Sequence, residues 1–250
     1  MSLEAVTTPN ADGTLGVPEG WRQGRGAYGG LVIGALVRAI ERDSPPERRV
    51  RSVTAELLAP LPEGTHAIER EELRRGNHVT IARAQIRAYA HAVAVLAEAR
   101  GSTSWQDLRA PDAPAHTQLR QLPTAAGFPQ FTQHFDYWIA RGLPGDGGKE
   151  LVAWLRPKNP GDARDAAFIA AMIDAIYPVV LTRTGPRAVA TLAYTLDIVG
   201  GLHGLNPDAP LLYRGTAPVC ADGYCLETRE LWGEDGRLIA VNQQTFVIFD

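Results

Sequence analysis

Lysine is almost missing from this chain. Lys149 and Lys158 are the only two, and arginine supplies nearly all the positive charge. With a net charge of −3 there is no basic field to gather nucleic acid or an anionic membrane surface. Long apolar runs are missing as well. No early segment joins a basic start to an apolar core, and the most apolar stretches are too short to span a bilayer, so a cytoplasmic protein is expected. Cysteine is scarce. Cys220 and Cys225 cannot build a disulfide framework, and no CxxC or Cys/His ligand spacing occurs, so both are expected to be reduced packing thiols. The six histidines, at 66, 78, 91, 116, 134 and 203, lack ligand spacing, and no metal is expected. No Ser or Cys lies in a nucleophile-elbow sequence.

What is present is an ordinary globular composition, 45% apolar and 21% charged. At 250 residues, one large or two modest domains are possible. The stretch 166–181, AAFIAAMIDAIYPVVL, organises the rest, because Asp174 is its only charge. Ala, Ile and Met over 166–177, an Asp before them and Pro178 after them predict a helix. Apolar residues on every face imply that it is enclosed, and a lone carboxylate there must be paired or hydrogen-bonded. A second nearly all-apolar helix is expected at 31–40, after WRQGRGAYGG, and it carries no acid.

Strand-like segments follow each helix. After the first they occupy 51–58, 66–74, 79–89 and 92–99, with an edge strand expected around 13–17. In the second half, strands are expected at 131–140 and 151–156 before the Asp174 helix. After it they occupy 188–199, 211–217, 224–232 and 238–249, the last two joined by a Gly233–Gly236 turn. Residues 101–130, with four prolines, read as a linker crossing the surface of the domain before it. Each half is therefore strand material, one buried helix and four antiparallel strands. That outline is α+β, a double hotdog: units at 1–103 and 130–250, joined by 104–129, each a curled sheet around one helix.

Several segments together resemble the acyl-CoA thioesterase II-like double-hotdog thioesterases. They are Tyr28-Gly29-Gly30 leading into the first helix, AELLAPLPEG, LRRGNHVTIARAQI, the helix bearing Asp174, Val189-Ala190-Thr191-Leu192 and the terminal LIAVNQQ. The resemblance covers almost the whole chain and rests on order and spacing rather than on any rigid signature. It implies acyl-CoA thioester hydrolysis by a trio of Asp174, Thr191 and Gln244, with no metal or redox cofactor. Gln243 is the alternative to Gln244, since a one-residue register slip swaps them. Substrate contacts are expected from Tyr28, Gly29 and Gly30; the Gly29 and Gly30 amides at a helix N-terminus could meet an oxyanion, and glycines that only permit close packing are the equal alternative. A homodimer or larger assembly is implied by the resemblance alone.

The chemistry fits those residue types: a carboxylate and two neutral hydrogen-bonders can hold a water whose proton the carboxylate accepts. With no acid on the first helix, one site per chain is expected. The competing readings are a non-catalytic acyl-binding double hotdog and, more weakly, an enoyl-thioester hydratase, which needs a histidine near Asp174. Gly24, Gly26 and Gly29 fit the letter of a dinucleotide fingerprint, but no buried strand precedes them. The arginines at 48, 49 and 51, and Arg74–Arg75, read as solvated surface.

Overall fold

The computed structural model describes residues 1–101, 103–123, 127–202, 204–206 and 208–249; His203 and part of the linker lie outside them. In the first half, α1 (Leu3–Thr7) and β1 (Thr14–Val17) precede a short hairpin of β2 (Arg22–Gln23) and β3 (Gly26–Ala27). Of the fingerprint glycines, Gly24 and Gly26 fall in this hairpin, where Gly24 takes a φ of +62°, and Gly29 opens the helix that follows. Then come α2 (Gly29–Arg42), β4 (Arg49–Leu57), β5 (Gly64–Ala67), β6 (Glu69–Arg75), β7 (Val79–Ile86) and β8 (Ala90–Ala97). The expected strand over 66–74 is thus two strands. β5 leaves the main sheet to pair with β1, and β6 stays in it. Arg49 and Arg51 are exposed. Arg48 departs from the solvated reading: it is buried, donating to Thr80 Oγ1 at 2.6 Å and to the Gly76 and Asn77 carbonyls at 2.9 and 2.7 Å.

The second half holds β9 (Phe135–Arg141), β10 (Glu150–Pro157), α3 (Ala166–Ile173) and α4 (Val180–Thr184), then β11 (Val189–Ile198), β12 (Leu211–Ala221), β13 (Tyr224–Trp232) and β14 (Leu238–Ile248). Among the described residues, ten strands form one antiparallel sheet in the order β6-β7-β8-β4-β11-β14-β13-β12-β10-β9. Neither half is a plain meander. The first strand after each helix, β4 or β11, returns beside the last strand of its own half. β4 and β11 then pair with each other, so the halves join into one continuous sheet.

The sheet wraps α2 and α3, both buried along nearly their whole length. Gly30 and Gly34 of α2 lie against the Ala171 and Ala167 carbonyls of α3, so the helices run antiparallel. A Cβ at those glycines would sit 2.9 and 3.1 Å from those oxygens. Asp165 caps α3, its carboxylate accepting from the Phe168 amide at 2.9 Å, and Arg38 of α2 binds its other oxygen at 2.6 Å.

Two expectations are corrected. The linker crosses the second half, not the first: Trp154 Nε1 donates to the Pro114 carbonyl and Gln106 Oε1 accepts from the Leu238 amide, both at 2.9 Å. The cause is apolar. Trp138, Trp154 and Trp232 form a cluster on the outer sheet face that needs a cover, and Ala110, Ala113 and Leu119 supply it. Cys220 and Cys225 are disulfide-bonded, not reduced. They stand directly opposite across the β12–β13 ladder, closed by a two-residue turn in which Asp222 and Gly223 both take positive φ. Register brings the sulfurs together where a count of cysteines could not reveal it.

Candidate active site

Asp174 does not lie within the helix but caps its C-terminus, because α3 stops at Ile173 rather than continuing to Tyr177. Pro178 forbids the longer helix: it has no amide, and its ring would clash with the carbonyl four residues back, that of Asp174. A buried helix end leaves carbonyls needing partners. Here side chains from the surrounding elements supply them. Tyr28 donates to Ala171, Tyr194 to Ala170 at 3.2 Å, and Arg229 Nη1 to Ile173 at 3.1 Å.

That arrangement turns the Asp174 carboxylate, 8% exposed, into a crossing point between the halves. Its Oδ1 accepts from Gln244 Nε2 and from Arg229 Nη1, both at 2.9 Å. The Gly30 amide at the N-terminus of α2 also hydrogen-bonds it, and its Oδ2 lies beside Gly29, where a Cβ would approach to 2.9 Å. No side chain caps α2. The positive end of a 14-residue helix therefore faces the carboxylate unobstructed. Burial raises the pKa of Asp174, opposed by Arg229, by the hydrogen bond from Gln244 and by the Gly30 amide.

Gln244 and Thr191 reach the site through sheet register. Gln244 pairs opposite Tyr194, and both point to the buried face, whereas Gln243 is exposed. A bulge in β11 between Thr191 and Ala193 turns Thr191 to the same face as Tyr194 despite their odd spacing. The Thr191 hydroxyl then donates to Gln244 Oε1 at 3.0 Å, and Gln244 Nε2 also reaches Asn242 Oδ1 at 3.0 Å. All three members of the expected trio are thus one hydrogen-bonded run. Asp174 and Thr191 line a cleft of about 540 Å³ together with Gly29, Leu57, Val189 and Phe246, and Gln244 links them from behind its wall. An apolar cavity of about 530 Å³ adjoins it, sharing Gln23, Gly24 and Val189 and lined by Phe131, Tyr137 and Tyr177.

The three expected substrate contacts separate. Gly29 faces the cleft. Gly30 is pressed against α3, where a Cβ would meet the Tyr28 hydroxyl and the Ala171 carbonyl. Tyr28 is fully buried, its ring stacked on Phe131 and its hydroxyl bound to α3, so it braces the helix rather than touching a ligand. No histidine among the described residues lines either cavity, and none of those residues forms a metal-binding cluster. No described helix is long and apolar enough to cross a membrane.

Sequence reading missed the other half of the buried charge. Arg229 is 1% exposed and Glu227 fully buried, and they pair at 2.7 Å. A signal was available: Cys225, Glu227, Arg229 and Leu231 alternate on one face of β13, so two charges share the face of apolar neighbours.

The chain matches two family models. The acyl-CoA thioesterase C-terminal domain model matches residues 87–248, and the N-terminal domain model matches 17–102. The chain belongs to the acyl-CoA thioesterase family. It is a thioester hydrolase with a double-hotdog fold. No curated protein sequence matches it. A hotdog-fold protein of unknown function from Alicyclobacillus acidocaldarius superposes with a TM-score of 0.88 at 22% identity, covering 99% of this chain and 98% of the other. Acyl-CoA thioesterase II TesB2 from Mycobacterium marinum gives 0.78 at 19% identity, with 99% and 98% covered. The dehydratase domain of RzxB from Pseudomonas fluorescens is more distant, at 0.56 and 14% identity, with 88% and 85% covered.

Proposed function

We propose that this thioesterase hydrolyses acyl-CoA by water that Asp174 activates, releasing free coenzyme A and a carboxylic acid. The observation that carries the reading is the continuous hydrogen-bonded run Thr191–Gln244–Asp174 at the edge of a cleft. Asp174 takes a proton from water as the oxygen attacks the thioester carbonyl; the C–S bond then breaks and the proton passes to the departing thiolate. Thr191 orients Gln244, which donates to Oδ1 of the carboxylate. Negative charge on the carbonyl oxygen develops next to the N-terminus of α2, whose dipole favours it. The adjoining apolar cavity suits the acyl chain, and the open cleft the coenzyme arm. Hydration of an enoyl thioester is less well supported, because no described histidine borders the site.

The test is free-thiol release from acyl-CoAs of short to long chain by wild type and Asp174→Asn. A fall in turnover of about a hundredfold or more is the size expected for losing a general base. Turnover that survives in Asp174→Asn would move the chemistry elsewhere. Binding without turnover on any acyl-CoA would leave an acyl-binding protein instead.

A further inference from the structure

A carboxylate that serves as a base must present one oxygen to water and keep presenting it. Two donors alone do not ensure this if they can move with it. Gln244 is a neutral amide at the end of a run of hydrogen bonds, and its Nε2 is shared between Asp174 and Asn242. Arg229 is held far more firmly. Its Nε donates to Glu227 Oε1 at 2.7 Å, its Nη1 spans Asp174 Oδ1 and the Ile173 carbonyl, and the Phe246 ring lies 5.2 Å from the guanidinium. Glu227 is fixed in turn, with Oε2 accepting from the Val179 amide at 2.7 Å and Oε1 facing the Tyr213 hydroxyl at 3.4 Å. A planar guanidinium with both edges occupied cannot swing.

We propose that Arg229, locked by Glu227, is the positioning residue of the site: it pins Oδ1 of Asp174 so that only Oδ2, beside Gly29, faces the cleft and its water. Glu227 has a second effect through charge. Asp174, Arg229 and Glu227 together carry −1, so the guanidinium is shared between two acids and does not fully quench the base. Desolvation works against the Arg229 charge and is outweighed by Tyr213, Glu227 and Asp174, so its pKa rises and it stays cationic. The other groups facing Asp174 are Tyr28 ahead of α2, Tyr194 on β11, Tyr213 on β12 and the neutral Gln244 and Asn242 on β14. Burial lifts all three tyrosines well above their ordinary range, so they stay neutral where Asp174 titrates.

This inference rests on Asp174 as base, and the experiment separates the two. It records kcat/KM against pH for wild type, Glu227→Gln, Arg229→Lys and Arg229→Met, with Asp174 followed independently by NMR of carboxyl-¹³C aspartate, its resonance assigned by its absence from Asp174→Asn. A neighbouring opposite charge moves a carboxyl pKa by about 1–3 units. Arg229→Met is therefore expected to move the acid limb up by at least about one unit. Glu227→Gln, which gives Asp174 the undivided guanidinium, is expected to move it down. Arg229→Lys keeps the charge but cannot fork, so kcat should fall roughly tenfold with KM little changed, the pattern expected when orientation is lost. If Arg229→Met does not fold, the other two variants still decide.

Opposed shifts in both the profile and the NMR titration support the clamp, since a merely structural pair would lower activity without moving the limb in two directions. Unmoved limbs with kcat within twofold of wild type would overturn it. An active Asp174→Asn would instead overturn the base assignment.

Discussion

The two ends of the helix pair have the same construction and opposite outcomes. Because α2 and α3 run antiparallel, each end brings the C-terminus of one helix beside the N-terminus of the other. At one end Asp174 closes α3 and meets an N-terminus of α2 with no side-chain cap, whose Gly30 amide turns to it. At the other end Glu41, near the close of α2, meets Asp165, which already caps α3 with its own carboxylate. One acid is bonded directly by a guanidinium and an amide side chain; the other faces an acid, with Arg38, Arg49 and the Val50 amide only partly offsetting it. The first end opens on a cleft and carries the proposed site. A duplicated fold thus keeps one centre by changing who caps a helix, and the packing of the helices need not differ.

Breaking the open end should have the largest effect. Gly29→Ala places a methyl 2.9 Å from Asp174 Oδ2 and 3.1 Å from Leu57 Cδ1, so the carboxylate must shift. A displacement of that kind is expected to reduce kcat roughly tenfold to a hundredfold. Gly34→Ala, one turn further along α2, is the contrast, since its methyl meets only the Ala167 carbonyl at 3.1 Å and Thr7. There the helix propensity of Ala, about 1 kcal/mol, offsets part of an overpacking cost of about 1–3 kcal/mol, and kcat should not move. Steady-state kinetics and thermal melts on both variants check this. If the two lose activity equally, Gly29 has no special relation to Asp174.

The halves also differ in how their hairpins close. The β7–β8 hairpin is paired without a covalent cross-link, whereas β12–β13 carries the Cys220–Cys225 bond, at a sequence separation of 5. Cross-linking so short a loop removes about 2 kcal/mol of chain entropy from the unfolded state. Cys225→Ser should therefore melt about 4–8 °C lower than wild type for a chain of this size. Adding a reductant should remove the difference. A gap that persists under reduction would assign the loss to packing of Cys225 against Val180 and Leu181.

The sequence reveals the halves, the two helices and the strands because burial fixes their periodicity, and an apolar helix with one acid is conspicuous. Asp174, Thr191 and Gln244 were legible through the resemblance; that they form one run depends on a bulge at Thr191 that no local pattern announces. Arg229 and Glu227 look like ordinary strand charges in YCLETRELW, and only their alternation with Cys225 and Leu231 marks them. Tyr28, expected from the resemblance to touch substrate, is instead buried, its hydroxyl donating to the Ala171 carbonyl near the end of α3. What stayed hidden was set by tertiary partners: which carbonyls needed donors, which cysteines stood in register and which face needed the linker.

The closed end offers the smallest effect, and its sign is fixed by linkage. Burial first, and then Asp165, push the Glu41 carboxyl up to about 7. The folded protein therefore holds a proton on Glu41 that the unfolded chain, with an ordinary carboxyl near 4.5, has already released. Where the native state binds more protons, stability falls as pH rises. Glu41 accordingly costs nothing near pH 4, costs progressively more through the window between those two values, and costs its full amount above pH 7. Glu41→Gln, which stays neutral, should match wild type in melting temperature near pH 4 and exceed it by on the order of a few degrees at pH 8. If Glu41→Gln melts in parallel with wild type at both pH values, the charge at this end is solvated, and the contrast between the two helix ends reduces to the presence of the cleft alone.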